Sequence, residues 1–166
     1  MIEIAQAETR EQIEEIRKLF REYEAWLGID LCFQNFEREL TDLPGKYSKP
    51  DGRLFLIYKE NQSAGCAALR KIDAQTCEMK RLYVREQFRG SRVGKMLIEK
   101  LFEEARIVGY KKMRLDTLPG KMPSAVKLYK SYGFYEIAPY YDNPHRETLF
   151  MEFDLENGFK NHFSCF

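Results

Sequence analysis

Two glycines and three cations sit where an apolar strand end meets an amphipathic helix, in Leu82-Tyr83-Val84-Arg85-Glu86-Gln87-Phe88-Arg89-Gly90-Ser91-Arg92-Val93-Gly94-Lys95. A helix start leaves several backbone N–H groups without intrahelical partners, and together with the helix dipole they attract an anion. Gly90 and Gly94 allow backbone to come close to a ligand, while Arg89, Arg92 and Lys95 add positive charge. The chemistry suggested is the seating of a phosphate. The same stretch serves equally as a plain strand-to-helix turn with a solvated basic rim, because glycines at this spacing are common.

Arg89-Gly90-Ser91-Arg92-Val93-Gly94 resembles the Gln/Arg-x-x-Gly-x-Gly/Ala loop with which GNAT N-acetyltransferases hold the pyrophosphate of coenzyme A. Glu78-Met79-Lys80-Arg81-Leu82-Tyr83-Val84 resembles the strand before that loop. Ala125-Val126-Lys127-Leu128-Tyr129-Lys130-Ser131-Tyr132-Gly133-Phe134 resembles the later Ala-x-x-Leu-Tyr-x-x-x-Gly-Phe helix. The resemblance implies acetyl-CoA as cosubstrate; no metal is expected, since the widely spread cysteines suggest no zinc site. The resemblance also implies cofactor contacts from Leu82, Tyr83, Val84, Gln87, Phe88, Arg89, Gly90, Ser91, Arg92, Val93, Gly94, Lys95, Ser124 and Tyr129. Two departures stand out. Arg92 occupies the loop's first glycine position, which is tolerable if that position is already helical. Met122 stands where many members have asparagine, which removes one hydrogen bond to the cofactor arm or helix.

Acetyl transfer from a thioester to an amine needs a neutral amine, a polarised carbonyl and a proton for the departing thiolate. An alkyl ammonium of pKa about 10.4 is neutral only about once per thousand molecules at pH 7. A general base is therefore useful, and Glu78 is the first candidate, against the plain reading of an exposed strand carboxylate. In the resembled family, backbone N–H groups near Leu82 polarise the carbonyl. Tyr129 matches the family's tyrosine that protonates the coenzyme A sulfur, since a phenol of pKa about 10 stays protonated at pH 7. Tyr132 has no such match and reads as packing. His145 is a second candidate base, against the plainer reading of a lone histidine exposed in a polar loop. No Gly-x-Ser-x-Gly elbow supports a serine hydrolase.

The elements that position these residues follow from periodicity. Ile2 to Ala5 reads as a strand, and Thr9-Arg10-Glu11-Gln12 as a capping box opening a helix that Gly28 ends. Its apolar stripe is Ile13, Ile16, Leu19, Phe20, Tyr23 and Leu27. Phe33 to Leu43 reads as a weaker helix and residues 44–52 as loop. In the resembled family this region shapes the acceptor pocket, while an aromatic pair such as Phe33 and Phe36 more often faces the core. Arg53 to Lys59 and Gly65 to Ile72 read as a hairpin about Glu60-Asn61-Gln62-Ser63. In the run Cys77 to Val84 the alternation slips between Met79 and Leu82, and a β-bulge at Lys80-Arg81 restores one face. In the resembled family a bulged strand here splays from its neighbour and exposes an edge to the pantetheine arm. A helix with Val93, Leu97, Leu101 and Ala105 on one face follows and ends at Gly109. Lys112 to Thr117 then completes a right-handed βαβ unit. Ser124 reads as the N-cap of the helix that Gly133 closes, and Phe134 to Ala138 and Leu149 to Leu155 as the last strands.

The chain has 166 residues, 44% hydrophobic and 32% charged, which suits one globular domain. The division read is a single domain over 1–155 with a tail over 156–166. A formal net charge of +1 argues against nucleic-acid binding. Cys32, Cys66, Cys77 and Cys165 form no CxxC pair, which suits free thiols in a cytoplasmic setting. The start is unlike a signal peptide, and no apolar run reaches membrane-spanning length. The fold expected is α/β with a mixed, partly splayed GNAT-type sheet and helices on both faces. The activity expected is N-acetyl transfer from acetyl-CoA to the primary amine of a small polar or zwitterionic molecule. Tyr140-Tyr141-Asp142-Asn143-Pro144-His145-Arg146, which in this family overhangs the acceptor, mixes aromatic, acidic and basic groups and motivates that acceptor. A protein N-terminus or lysine, or a catalytically silent coenzyme A-binding module, are the alternatives. The tail, with Phe159, Phe163 and Phe166, either frays or packs on a partner in a homodimer.

Overall fold

The capping box forms as read: Thr9 Oγ1 accepts from Gln12 N–H at 3.2 Å, and Gln12 Oε1 accepts from Thr9 N–H at 3.1 Å. It opens helix α1, Arg10–Leu27, and Gly28 closes it in the left-handed region at φ +68°. The computed structural model describes residues 1–160. Strand β1 is Ile2–Gln6, and a short helix α2, Phe36–Asp42, follows α1. Then come β2, Arg53–Lys59, β3, Gln62–Lys71, and β4, Thr76–Val84. Helix α3, Val93–Val108, leads to β5, Lys112–Thr117, and helix α4, Pro123–Tyr132, to β6, Tyr135–Ile137, and β7, Leu149–Asp154. The stretch read as one helix from Phe33 is instead a 3₁₀ turn, Cys32–Gln34, and α2. Asn35 between them takes a left-handed conformation at φ 56° and separates the two.

The sheet order is β1-β2-β3-β4-β5-β7-β6. Every neighbouring pair is antiparallel except β4 and β5, which α3 joins as a parallel crossover. Side chains of successive residues alternate between two cores. Leu54 and Leu56 pack under α1 and α2, while Phe55 and Ile57 pack under α3. Helices therefore cover both faces, and the expected mixed sheet is present.

The hairpin between β2 and β3 is tighter than read. Glu60 and Asn61 both have positive φ, which makes a two-residue turn of the hairpin kind, and β3 begins at Gln62 rather than Gly65. The bulge in β4 lies one residue beyond the expected place. Cys66 faces Tyr83 and Ala68 faces Lys80, so Arg81 and Leu82 share Ala67 as partner. The parity argument holds across it, because Met79, Leu82 and Val84 all meet the α3 core. Gly65 is required beside the bulge, since a Cβ there would lie 2.3 Å from the Tyr83 carbonyl oxygen.

The first part of the tail packs on its own domain. Phe159 packs edge-on against Tyr132 at 5.0 Å, and Arg106 donates to the Leu155 and Phe159 carbonyls. Phe163, Cys165 and Phe166 lie outside the described residues. Among the described residues, no helix is long and apolar enough to cross a membrane.

Candidate active site

Pairing between β4 and β5 covers only one end of the strands. Thr76, Cys77 and Glu78 face Lys112, Met113 and Arg114, and among the described residues no further pair joins them. Beyond Glu78 the strands part. Lys80, Arg81 and Leu82 on one side then face Leu115, Asp116 and Thr117 on the other across a cavity. The bulge is the local cause, because its extra residue bends β4 away from β5. Arg81, at the bulge, holds a left-handed φ of +56°. Its guanidinium donates to both Glu39 oxygens, at 2.9 and 3.1 Å, and lies over the Phe36 ring at 5.3 Å. Those contacts compensate the strain of a non-glycine residue in that region.

Glu78 is fully buried, not the exposed carboxylate of the plain reading. One oxygen accepts from Arg70 Nε at 2.7 Å and the other from the Tyr140 hydroxyl. It is absent from the cavity wall, and Asp116 stands there instead. Asp116 accepts from the Tyr141 hydroxyl. Tyr140 and Tyr141 thus pin the connection between β6 and β7 onto β4 and β5, each packed edge-on against Phe150 at 5.2 Å. Gln34 Nε2 reaches the Tyr141 hydroxyl at 3.3 Å, and His145 packs on Phe33 at 5.5 Å. The two segments meet over the cavity and roof it. Phe36 lies in the core as read, but Phe33 is half-buried and belongs to this roof.

Lys80 is buried on the cavity wall, and its ammonium donates to Gln34 Oε1 at 3.0 Å. Burial pushes its pKa down, while Asp116 and Glu78, each 3.9 Å away, oppose that. Tyr129 reaches the cavity from α4. Burial raises its phenol well above the ordinary value, so the hydroxyl keeps its proton at neutral pH. Tyr132 donates to Glu99 at 2.8 Å and packs on Phe102, in keeping with its structural reading.

The phosphate-seat residues divide in two. Phe88 and Val93 point their side chains into the core, leaving only backbone for a ligand. Gln87, Arg89, Gly90, Arg92 and Lys95 are exposed. Arg89 folds back rather than outward: its Nε donates to the Val84 carbonyl at 3.0 Å and its guanidinium lies over the Trp26 ring at 4.8 Å. Arg92 is the N-cap of α3, not a helical residue, and sits in the left-handed region at φ +69°. No side chain caps that helix start. Ser124 is not an N-cap either. Proline at Pro123 takes the first helical position, Met122 takes the cap without a side-chain hydrogen bond, and Ser124 lies one residue inside.

The Arg92 conformation carries a prediction. An L-residue in the left-handed region costs about 1–2 kcal/mol, against about 0.5–1 kcal/mol for the extra unfolded-state freedom of glycine. Arg92→Gly is therefore expected to raise stability without cofactor by up to about 1 kcal/mol. A urea midpoint that falls instead would show that the arginine side chain holds the turn.

Several features fit the acetyl-CoA that the loop resemblance implies. The hydroxyls of Thr117 and Thr148 are buried on the cavity wall without hydrogen-bond partners among the described residues. They can meet a polar arm lying between the parted strands. A Cβ at Gly90 would meet nothing within 4 Å, and one at Gly94 would meet only Val84 Cγ2, at 3.7 Å. These glycines leave open ground before an uncapped helix start.

Lys80, Gln34, Asp116, Thr117 and Thr148 carry no motif and were not legible as site residues. The one signal available was the pair Lys80-Arg81, two adjacent cations inside a strand at the point of the register fault.

Comparison with known proteins agrees with this geometry. The acetyltransferase (GNAT) family model matches residues 13–134. An uncharacterised N-acetyltransferase of Schizosaccharomyces pombe is 36% identical over 156 residues, covering 93% of this chain and 95% of the relative. The crystal structure of a GNAT-family acetyltransferase from Staphylococcus aureus superposes with a TM-score of 0.78 at 21% identity, over 93% of this chain and 99% of that one. A GNAT-family acetyltransferase from Elizabethkingia anophelis, solved with acetyl-CoA bound, superposes with a TM-score of 0.60 at 20% identity, over 92% and 97%.

Proposed function

Because the chain belongs to the acetyltransferase (GNAT) family, we propose that it acetylates the primary amine of a small polar or zwitterionic molecule from acetyl-CoA. The observation that carries the choice of acceptor is the roofed cavity at the β4–β5 splay. It sets Lys80 and Arg81 against Asp116 beneath Gln34, Asn143 and His145. A small charged molecule fits under such a roof, whereas a protein tail needs an open groove. The buried thiols of Cys66 and Cys77 suit a reducing compartment such as the cytosol.

Acetyl-CoA supplies the activated acyl group. In this proposal the α3 N-terminus with Gly90, Gly94 and Lys95 seats its pyrophosphate, and backbone N–H groups near Leu82 on the free β4 edge hold the carbonyl oxygen. Tyr129 keeps a proton for the departing sulfur. Glu78 stands off the cavity wall, so it takes the proton of the ammonium by relay through the Tyr140 hydroxyl that donates to it. Asp116, on the wall, is the direct alternative.

The test is a panel of small amines, amino acids and short peptides, read by release of the coenzyme A thiol, alongside melting with acetyl-CoA. Turnover of small amines is the expected result. Acetylation confined to peptides would move the acceptor to protein termini or lysines. A raised melting temperature with no thiol release from any acceptor would make the chain a coenzyme A-binding module.

A further inference from the structure

Three cations cluster here, Lys80 and Arg81 on the cavity wall and Arg70 off it, and two of them are already held in contact pairs. Arg81 donates to both oxygens of Glu39, and Arg70 Nε lies 2.7 Å from Glu78. Lys80 differs. It is only 8% exposed, yet its nearest carboxylate oxygens, on Glu78 and Asp116, are each 3.9 Å from Nζ, beyond hydrogen-bond distance. Its one hydrogen bond among the described residues is to Gln34 Oε1 at 3.0 Å. An ammonium has three N–H donors, so two remain to be used at a buried position where unmet donors are costly. Lys80 lines the cavity, which is where those donors can be met.

The charges constrain what meets them. Arg70, Lys80 and Arg81 are balanced by Glu39, Glu78 and Asp116. A ligand of zero net charge keeps that balance; a polyamine or a dicarboxylate without an amine upsets it. Lys80 Nζ and Asp116 Oδ1 are 3.9 Å apart. The ammonium and carboxylate of an α-amino acid are separated by a single carbon, so both ends can be matched at once. Gln34 then has a positioning task, since its Oε1 accepts from Lys80 and from Arg81 Nη1 at 2.8 Å and fixes where the ammonium points.

We infer that the acceptor is an α-amino acid, its carboxylate docked on Lys80 Nζ and its amino end beside Asp116. This rests on the small-amine reading above. In the transfer the acceptor ammonium loses two protons in all. Its nitrogen forms the amide bond to the acetyl carbon as the carbon–sulfur bond breaks, the sulfur takes one proton, and one is released to solvent.

The experiment compares each of the common α-amino acids with its carboxamide and its decarboxylated amine, again by thiol release. Wild-type protein is expected to use the acid at least tenfold better in kcat/KM than either analogue, the range of a charge-assisted hydrogen bond being about 10- to 100-fold. Lys80→Gln and Lys80→Met, each checked for folding by circular dichroism, are expected to bring acid and carboxamide within about threefold of each other. Equal use of acids, amides and amines by the wild type overturns the carboxylate seat and leaves the small-amine reading standing. A Lys80 variant that loses activity on acid and amide in equal proportion also overturns it, since the lysine is then structural. Turnover of peptides alone, or of no acceptor, overturns both.

Discussion

The Gly94→Glu protein is expected to fold, to melt no lower than the wild type on its own, and to show no rise in melting temperature with acetyl-CoA. The sign follows from position. Gly94 lies in the first turn of α3, where a carboxylate interacts favourably with the helix dipole by about 0.3–1 kcal/mol. The structure has room for it, since a Cβ there meets only Val84 Cγ2 at an ordinary 3.7 Å. The bare protein therefore loses nothing in packing. The same carboxylate projects over the helix start where the pyrophosphate would sit, repelling it and occupying its N–H donors. For the wild type, a ligand at 100 times its Kd adds about 2.7 kcal/mol, or about 5–10 °C for a chain of this size. Differential scanning fluorimetry reads both quantities in one plate. Gly94→Ala, with no charge, should keep stability and part of the shift. A Gly94→Glu protein that still gains several degrees with the cofactor would leave the loop an ordinary turn.

That loop shows where the sequence was a sufficient guide and where it was not. Local rules carried the framework: the Thr9–Gln12 box, the glycines at 28, 109 and 133, and the single-face repeat of α3 all depend on residues close in the chain. The bulge was legible for the same reason, as a break in parity between Met79 and Leu82. Its exact place was not, because Lys80 and Arg81 both turn to the α1 side, and their partners, Gln34 and Glu39, lie on a distant segment. Arg92 in place of glycine is tolerable if the position is helical, and that condition is not met, because a βα turn gives no sign of which residue must enter the left-handed region when glycine is absent. Ser124 outranks Met122 by cap propensity, yet Pro123 sets the helix start and overrides it. The burial of Glu78 was the largest gap. Its carboxylate is covered by Tyr140, 62 residues away, and that contact depends on how the β6–β7 connection folds over the sheet.

Tyr129→Phe is expected to lower kcat by about 10²–10⁴ while leaving acetyl-CoA affinity nearly unchanged, as the loss of a positioned general acid would do. The ring packs at 5.6 Å on Phe134 and the substitution removes a single oxygen, so the fold should be preserved. Because burial holds the phenol above its ordinary pKa, the hydroxyl stays protonated across the neutral range. The variant's loss should therefore be uniform with pH rather than confined to one limb, and greatest where thiolate departure limits the rate. Glu78→Gln should behave differently. Losing the base leaves the amine to deprotonate unaided, so activity should recover as pH rises towards the amine's own pKa of about 10.4. Tyr140→Phe should share that profile if the hydroxyl relays the proton. Asp116→Asn completes the comparison, since Asp116 is the carboxylate on the cavity wall. If the acidic limb moves in Asp116→Asn and not in Glu78→Gln, the proton goes to Asp116, and Glu78 serves only to hold Arg70 and Tyr140. Wild-type turnover by Tyr129→Phe at every pH would remove the phenol from the mechanism.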